Sequence, residues 1–315
     1  MADLDRVLVL AGGLSPEREV SLRSGNQVAQ ALTEVGVDVR VSDVGVDLLA
    51  VLAADAPDVV FPMLHGASGE DGTLREVLHM AGVSYVGAEP SAARLAFDKP
   101  VAKTLLRRAG LHTPESVTLP RQAFHDLGAT ALATMLIRRL GLPLCVKPRG
   151  GGSAFGVTRV DEASMLPAAL MTCFGYHDEA LVEQWVTGTE VAVAVIDTGC
   201  GPSALPAVEI VPDSGFYDYA ARYTAGATEF FCPARLGEDA AAAAEHAALT
   251  AHRVLGMRDL SRTDIIVDEH GSAFVLETNV APGMTPTSTF PMALKTAGHD
   301  FGVFCRDLAS HAANR

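Results

Sequence analysis

Short apolar runs alternate with helical stretches through the first hundred residues, and that alternation confines this part of the chain to a parallel sheet covered by helices. Residues 7–10 form an apolar run that ends in Ala11-Gly12-Gly13. Ser15-Pro16-Glu17 reads as a helix start, with a capping serine, a proline in the first turn and an acid near the positive end of the helix dipole. Val20, Val28, Leu32 and Val35 continue at roughly helical spacing. Residues 37–41, 59–64 and 83–86 are further strands, and 73–81 a further helix. Ligands on such sheets sit beyond the carboxyl ends of the strands, here residues 12–17 and 65–72.

A different organisation follows. Residues 98–109 form a basic amphipathic helix carrying Lys99, Lys103, Arg107 and Arg108. Strands at 142–147 and 157–160 flank a glycine-rich stretch, 149–156, which makes a hairpin lid rather than a strand–loop–helix phosphate motif. Strands at 179–185 and 190–197 and an alanine-rich helix at 240–256 come next. Strands at 262–267 and 273–279 are joined by Asp268-Glu269-His270-Gly271, which is good hairpin turn chemistry. The fold class is α/β, becoming α+β in the later part.

Composition narrows the function. The 315 residues carry a net charge of −14, which argues against non-specific binding of nucleic acid or an anionic membrane. With 49% apolar residues, a chain this long buries enough core to fold without disulfide or metal staples, and the length suggests about two domains. No segment approaches the roughly 18 apolar residues of a membrane span. Residues 6–10 run straight into glycines and read as a strand, not a signal peptide. Cysteines at 145, 173, 200, 232 and 305 form no C-x-x-C pair, against a zinc ribbon or a secreted disulfide scaffold. A cytoplasmic protein with buried, reduced thiols is expected.

Four features carry chemistry, each with two readings. Alternation puts Arg262 and Asp264 on one face of a strand and Glu277 and Asn279 on one face of its partner. In register, their oxygens suit Mg²⁺; otherwise they are the polar face of a hairpin. Lys147 and the loop Arg149–Gly156 either cradle a phosphate or form a flexible surface hairpin. His65 and Glu70-Asp71 read as a capping cluster or as part of a site. The aromatic segment 216–226 is a loop covering a site or a satellite hydrophobic cluster. Neither G-x-x-x-x-G-K-[ST], G-x-G-x-x-G nor G-x-S-x-G occurs, so a P-loop, a dinucleotide-dependent oxidoreductase and a nucleophile elbow are not supported.

Nine segments taken in order, GGLSPEREVSLRSG (12–25), LHGASGEDGT (64–73), AFDKPVAK (96–103), VKPRGGGSAFGV (146–157), VEQWVTGTE (182–190), FYDYAARY (216–223), FFCPARL (230–236), RTDIIVD (262–268) and LETNVAPGMTPTS (276–288), resemble the D-alanine–D-alanine ligases of the ATP-grasp superfamily. The resemblance runs over nearly the whole chain. It implies an N-terminal α/β domain (1–96), a central lid domain (97–187) and a C-terminal domain carrying a metal site (188–315). It also implies a two-step reaction that makes D-alanyl-D-alanine for peptidoglycan. The first D-alanine's carboxylate takes the γ-phosphoryl group of ATP, and the second D-alanine's amine then attacks the acylphosphate.

Carried over residue by residue, the resemblance makes Asp264, Glu277 and Asn279 the ligands of two Mg²⁺ ions, for which Mn²⁺ could substitute. Lys99, Lys147 and Arg222 become phosphate-binding cations. Glu183, the Gln184 and Val186 backbone and the Trp185 ring form the adenine pocket, with Glu190 on the ribose. Arg262 and the Gly283 N–H face the developing oxyanion. Glu17 holds the first substrate's ammonium, with Ser153 and Tyr223 as its hydrogen-bonded partners. His65 lies near the first D-alanine, and Ser288 and Thr289 receive the second substrate's carboxylate. A homodimer is implied, with small-molecule substrates only. Gly151, Ala154, Arg222, Thr289 and the pair Val280-Ala281 depart from the commoner family residues. The departures at Thr289 and Gly151 motivate one alternative, a dipeptide ligase with another second substrate such as D-serine; a second, an inactive nucleotide-binding relative, has the retained Asp264, Glu277, Asn279, Arg262 and Lys147 against it.

Overall fold

The computed structural model describes residues 4, 6–224 and 226–315, without the side chains of Asp55 and Tyr223. Strands β1 (Arg6–Leu10), β2 (Asp38–Ser42) and β3 (Val59–Pro62) make a parallel sheet in the order β2-β1-β3. Leu8 stands opposite Arg40 on one side and Val60 on the other. The strand expected at 83–86 shrinks to a single bridge between Val60 and Tyr85. Gly82 and Gly87, both at positive φ, bend the chain away on either side of it. The expected serine cap is also replaced. The first helix runs Arg18–Glu34 with Glu17 at its N-cap. Ser15 sits one turn earlier, donating to the His65 carbonyl at 2.8 Å and accepting the Glu17 N–H at 3.1 Å.

Strands β4 (Ser116–Pro120), β5 (Leu144–Pro148), β6 (Thr158–Val160) and β7 (Glu179–Gln184) form an antiparallel sheet ordered β4-β7-β5-β6. Leu144, Val146 and Val182 point into a core made with Leu136, Leu166, Leu170 and Phe174. The alternate positions, Cys145, Lys147 and Glu183, therefore share the opposite face. The other antiparallel sheet runs β11 (Thr228–Phe231), β10 (Val208–Pro212), β8 (Thr189–Ile196), β12 (Leu260–Val267), β13 (Ala273–Asn279), with β9 (Ser203–Ala204) on β8. Its back is covered by the helix Glu238–Val254, whose Ala244, Ala247, Ala248 and Ala251 are small enough to pack close to Val191, Val193, Ile265 and Val275.

The last two helices, Thr289–Thr296 and Phe301–Ala313, return to the first sheet. Phe290, Leu294, Phe304 and Leu308 fill one core with Val7, Val9 and Phe61. All five cysteines are free. Cys173 and Cys305 are buried as expected, but Cys200, beyond the end of β8, is exposed. Among the described residues, no helix is long and apolar enough to cross a membrane.

Candidate active site

The hairpin β12–β13 sets the centre of the site. Arg262 pairs with Asn279 and Asp264 with Glu277, and a bulge after Asp264 then shifts the register so that Ile265 pairs with Val275. The two carboxylates, the amide and the guanidinium thus emerge together, while Ile265 and Val275 stay in the core. Arg262 grips Asp264 with two bonds of 2.7 and 2.8 Å. Glu277 lies 3.2 Å from Lys99 Nζ. Burial opposes ionisation of Glu277, but Lys99, Lys147, Arg222 and Arg262 outweigh it and hold the carboxyl at about 2. The Asn279 amide oxygen accepts the Ala281 N–H at 2.8 Å. Two carboxylates and an amide oxygen are an oxygen-only donor set, which fits a hard cation such as Mg²⁺ and not a thiolate- or imidazole-bound metal.

Two cavities meet over this hairpin. The first, about 510 Å³, lies between the two antiparallel sheets. Lys99, Lys147, Glu183, Gln184, Trp185, Val186, Glu190 and Arg222 all line it. The second, about 570 Å³, faces the first helix and the end of β13. Glu17, His65, Ser153, Arg262, Gly283, Ser288, Thr289 and Asn279 line it. Tyr217, Arg222, Asp264 and Glu277 belong to both walls, so the cavities join at a point carrying both signs of charge. The side chain of Tyr223 lies outside the described residues.

Inside the first cavity the charges are arranged in series. Glu183 is 2% exposed and ion-paired on both sides, with Lys147 Nζ at 2.6 Å and with Lys103. Burial works against the Glu183 carboxylate, but Lys147 and Lys103 outweigh it and lower its pKa. Lys103 bears the cost of being the surplus cation, since burial pushes it down to about 8. Burial also raises Glu190 to about 7. Lys99 reaches back to the Gly151 carbonyl at 2.6 Å and so tethers the glycine loop. Arg159 lies over the Trp185 ring at 4.5 Å, and Phe216 meets the same ring edge-on at 5.4 Å. The aromatic segment therefore covers a cavity.

In the second cavity Glu17 is the focal group. Ser153, at positive φ in the lid loop, donates to its Oε1. Burial raises the Glu17 pKa, which the Ser153 bond partly offsets. The carboxylate lies between the backbones of Gly66 and Gly152. Gly66 has φ +73, and a Cβ there would overlap Glu17 Oε2. Gly66→Ala is expected to lower turnover by about 10²-fold through displacement of Glu17. Unaltered steady-state kinetics for that variant would show that Glu17 tolerates displacement. His65 is 5% exposed, and both ring nitrogens are taken by the protein, Nδ1 by the Ala281 carbonyl at 3.0 Å and Nε2 by Ser24 Oγ at 3.2 Å. Burial depresses it to about 4, so the ring is neutral. Ser288 Oγ bonds Thr285 Oγ1 at 2.8 Å, and a Cβ on Gly283 would come within 2.9 Å of it.

Sequence reasoning left out several of these groups. Lys103 was visible as one of four basic residues on its helix, one turn after Lys99, but its partner Glu183 is 80 positions away. Arg159, Arg75 and Ser24 carried no local signal. Glu70 accepts the Gly66 N–H at 2.9 Å, as a capping group would, yet it also lines the second cavity. Burial, then Glu17, raises it to about 8.

Two antiparallel sheets closing on a cavity that ends at paired carboxylates are the architecture of the ATP-grasp enzymes. Solved structures agree. A crystal structure titled VanG D-Ala:D-Ser ligase from Enterococcus faecalis matches with TM-score 0.83 and 29% identity, covering 98% of this chain and 99% of that one. A D-alanine–D-alanine ligase from Bacillus anthracis, complexed with ATP, matches with TM-score 0.82 and 27% identity, covering 99% and 98%. The family descriptions "D-ala D-ala ligase N-terminus" and "D-ala D-ala ligase C-terminus" fit residues 48–88 and 105–309. A D-alanine–D-alanine ligase of Bordetella petrii is 42% identical over 98% of this chain and 93% of its own length, and one of Anaeromyxobacter dehalogenans is 42% identical over 98% and 97%. The chain belongs to the D-alanine–D-alanine ligase family.

Proposed function

We propose that the chain joins two molecules of D-alanine at the expense of ATP and supplies the dipeptide to peptidoglycan precursor synthesis. The observation that carries this reading is the junction of the two cavities at Arg222, Asp264 and Glu277. A nucleotide in the first cavity would direct its terminal phosphate to that point, where a carboxylate in the second could receive it. The names of the curated relatives favour D-alanine over D-serine as second substrate.

Phosphoryl transfer needs positioning and neutralisation of charge. Lys99, Lys147 and Arg222 supply cations at the junction. Arg222 is stacked over the Tyr217 ring at 4.2 Å, and its buried Nε has no partner among the described residues. Asp264, Glu277 and Asn279 would hold Mg²⁺, which when bound would neutralise phosphate charge. Glu17 orients the first D-alanine by its ammonium. Transfer forms a bond between the D-alanine carboxylate oxygen and the γ-phosphorus and releases ADP. The second amine then attacks the carbonyl carbon, the C–O bond to phosphate breaks, and the amine sheds its proton. Arg262 and the Gly283 N–H face the oxyanion of that step, and Ser288 and Thr289 hold the second carboxylate. Ser153 fastens the lid to Glu17 and keeps water from the acylphosphate.

The test is phosphate release with ATP, Mg²⁺ and D-alanine alone, followed by a panel with D-serine, D-lactate and L-amino acids, products being identified by mass. D-alanyl-D-alanine from D-alanine alone is the expected result. A product formed only from a mixed pair would keep the chemistry and refute the substrate.

A further inference from the structure

The turn that follows β13 is held by three buried side chains from the first quarter of the sequence. The Val280 carbonyl lies 3.5 Å from Arg75 Nη2. The Ala281 carbonyl lies 3.0 Å from His65 Nδ1. The Met284 N–H donates to Ser24 Oγ at 3.2 Å. The same Ser24 hydroxyl lies 3.2 Å from His65 Nε2. The donors are mutually consistent: a carbonyl can only accept, so Nδ1 carries the proton of the neutral ring, Nε2 accepts from the serine hydroxyl, and the serine oxygen accepts from Met284. Asn279, whose amide oxygen accepts the Ala281 N–H, stands just before these anchors, and Gly283 lies between the last two of them; both line the second cavity.

Arg75 is the unexpected member. It is 1% exposed, the largest completely buried side chain of the described residues. It lies on the helix Thr73–Met80, its Nη1 bonds the Gly69 carbonyl, and its Nε has no partner. Among the described residues no carboxylate oxygen lies within ion-pair distance of it. Burial works against its charge, and Glu70, near it but not ion-paired, offsets this only in part, so the cation carries a cost that an apolar side chain would not. What the guanidinium provides instead is a fork joining the carbonyls of Gly69 and Val280, which are the chain neighbours of Glu70 and Asn279 in the lining of the second cavity.

We propose that Arg75 and Ser24 are positioning residues which, with His65, fix the 280–284 turn so that the Gly283 N–H meets the oxyanion of the second step. The inference rests on the ligase reading above. Neither residue touches substrate. An oxyanion donor held slightly out of place slows amine attack while leaving phosphoryl transfer intact. The acylphosphate then survives long enough for water to compete, and phosphate is released without dipeptide.

The experiment measures phosphate and dipeptide separately from ATP and D-alanine, for the full chain and for Ser24→Ala, Arg75→Gln and Arg75→Lys. The wild-type protein is expected to give equal amounts of the two. In Ser24→Ala and Arg75→Gln, dipeptide synthesis is expected to fall by about 10- to 10²-fold, with phosphate in excess and the KM for ATP unchanged. Arg75→Lys, which keeps a donor and the charge, is expected to recover part of the coupling. A merely structural role would lower both rates together and keep the products equal. Equal products in the folded variants therefore overturn the proposal. If Arg75→Gln does not fold, Ser24→Ala, which loses one hydroxyl, decides alone. A wild-type protein that makes no dipeptide would refute the ligase reading instead.

Discussion

Glu277→Gln is expected to lower dipeptide synthesis by about 10³-fold or more while leaving the fold intact. The amide keeps the shape of the side chain and can still accept from Lys99, now 3.2 Å from the carboxylate. What is lost is the charge. Glu277 stays ionised against its own burial because Lys99, Lys147, Arg222 and Arg262 converge on it. A neutral residue takes away the carboxylate on which these four cations converge, and it removes one of two carboxylates able to hold a metal ion. Removal of one group that stabilises developing charge costs about 3–4 kcal/mol, and each 1.36 kcal/mol is tenfold in rate. Initial rates at saturating ATP, paired with a thermal melt, check this. An active variant would remove Glu277 from the proposed metal ligands and leave Asp264 and Asn279 without a second carboxylate.

For Glu183→Gln the expected result is a loss of stability rather than of a catalytic group. Glu183 is the single anion between two buried lysines, with Lys147 at 2.6 Å and Lys103 on its other oxygen. Breaking a buried pair by removing one partner costs about 3–5 kcal/mol, because the charge left behind is uncompensated. A melting temperature lower by about 10 °C follows. The pH dependence identifies the cause. Lys103 already sits at about 8 in the intact protein, below the ordinary lysine value. Without Glu183 it is depressed further, so the folded state binds fewer protons than the unfolded state, and stability rises with pH. Measured against the intact protein, whose Lys103 titrates at about 8, the deficit should therefore shrink as the pH is raised towards about 8 and stay level above it. A deficit that is flat in pH would assign the loss to packing and not to charge.

What could be read from the sequence was what obeys local rules. The period of two in a strand places Arg262 with Asp264 and Glu277 with Asn279, and the structure pairs them in that register. The strand, glycine loop and strand at 142–160 fold back as an antiparallel hairpin. The structure also lines its two cavities with the residues that the family resemblance singles out, apart from Tyr223, whose side chain lies outside the described residues. Local rules failed where a distant partner decides. The extended run at 83–86 is a lone bridge because only Val60 meets it. Ser15 turns to the His65 carbonyl, 50 positions on, instead of capping a helix. Arg75 looks like an ordinary exposed arginine on an amphipathic helix, and only the fold brings Val280, 205 positions later, beneath it. Short elements such as β9 and β11 leave too few residues for any periodicity to show.

The return of the last two helices to the first sheet has a consequence for how the chain is made. Val7, Val9 and Phe61 leave the ribosome well over two hundred residues before Phe290, Phe304 and Leu308, which help to cover them. At about 5–20 residues per second, tens of seconds pass between the two. Throughout that interval this face of the sheet is covered only in part, by Val28, Ala29 and Leu32 of the first helix. The same late segment begins with Ser288 and Thr289, so the wall of the second cavity and the cover of the first sheet arrive together. A nascent chain caught before that point carries a lid, a hairpin of carboxylates and an open greasy surface.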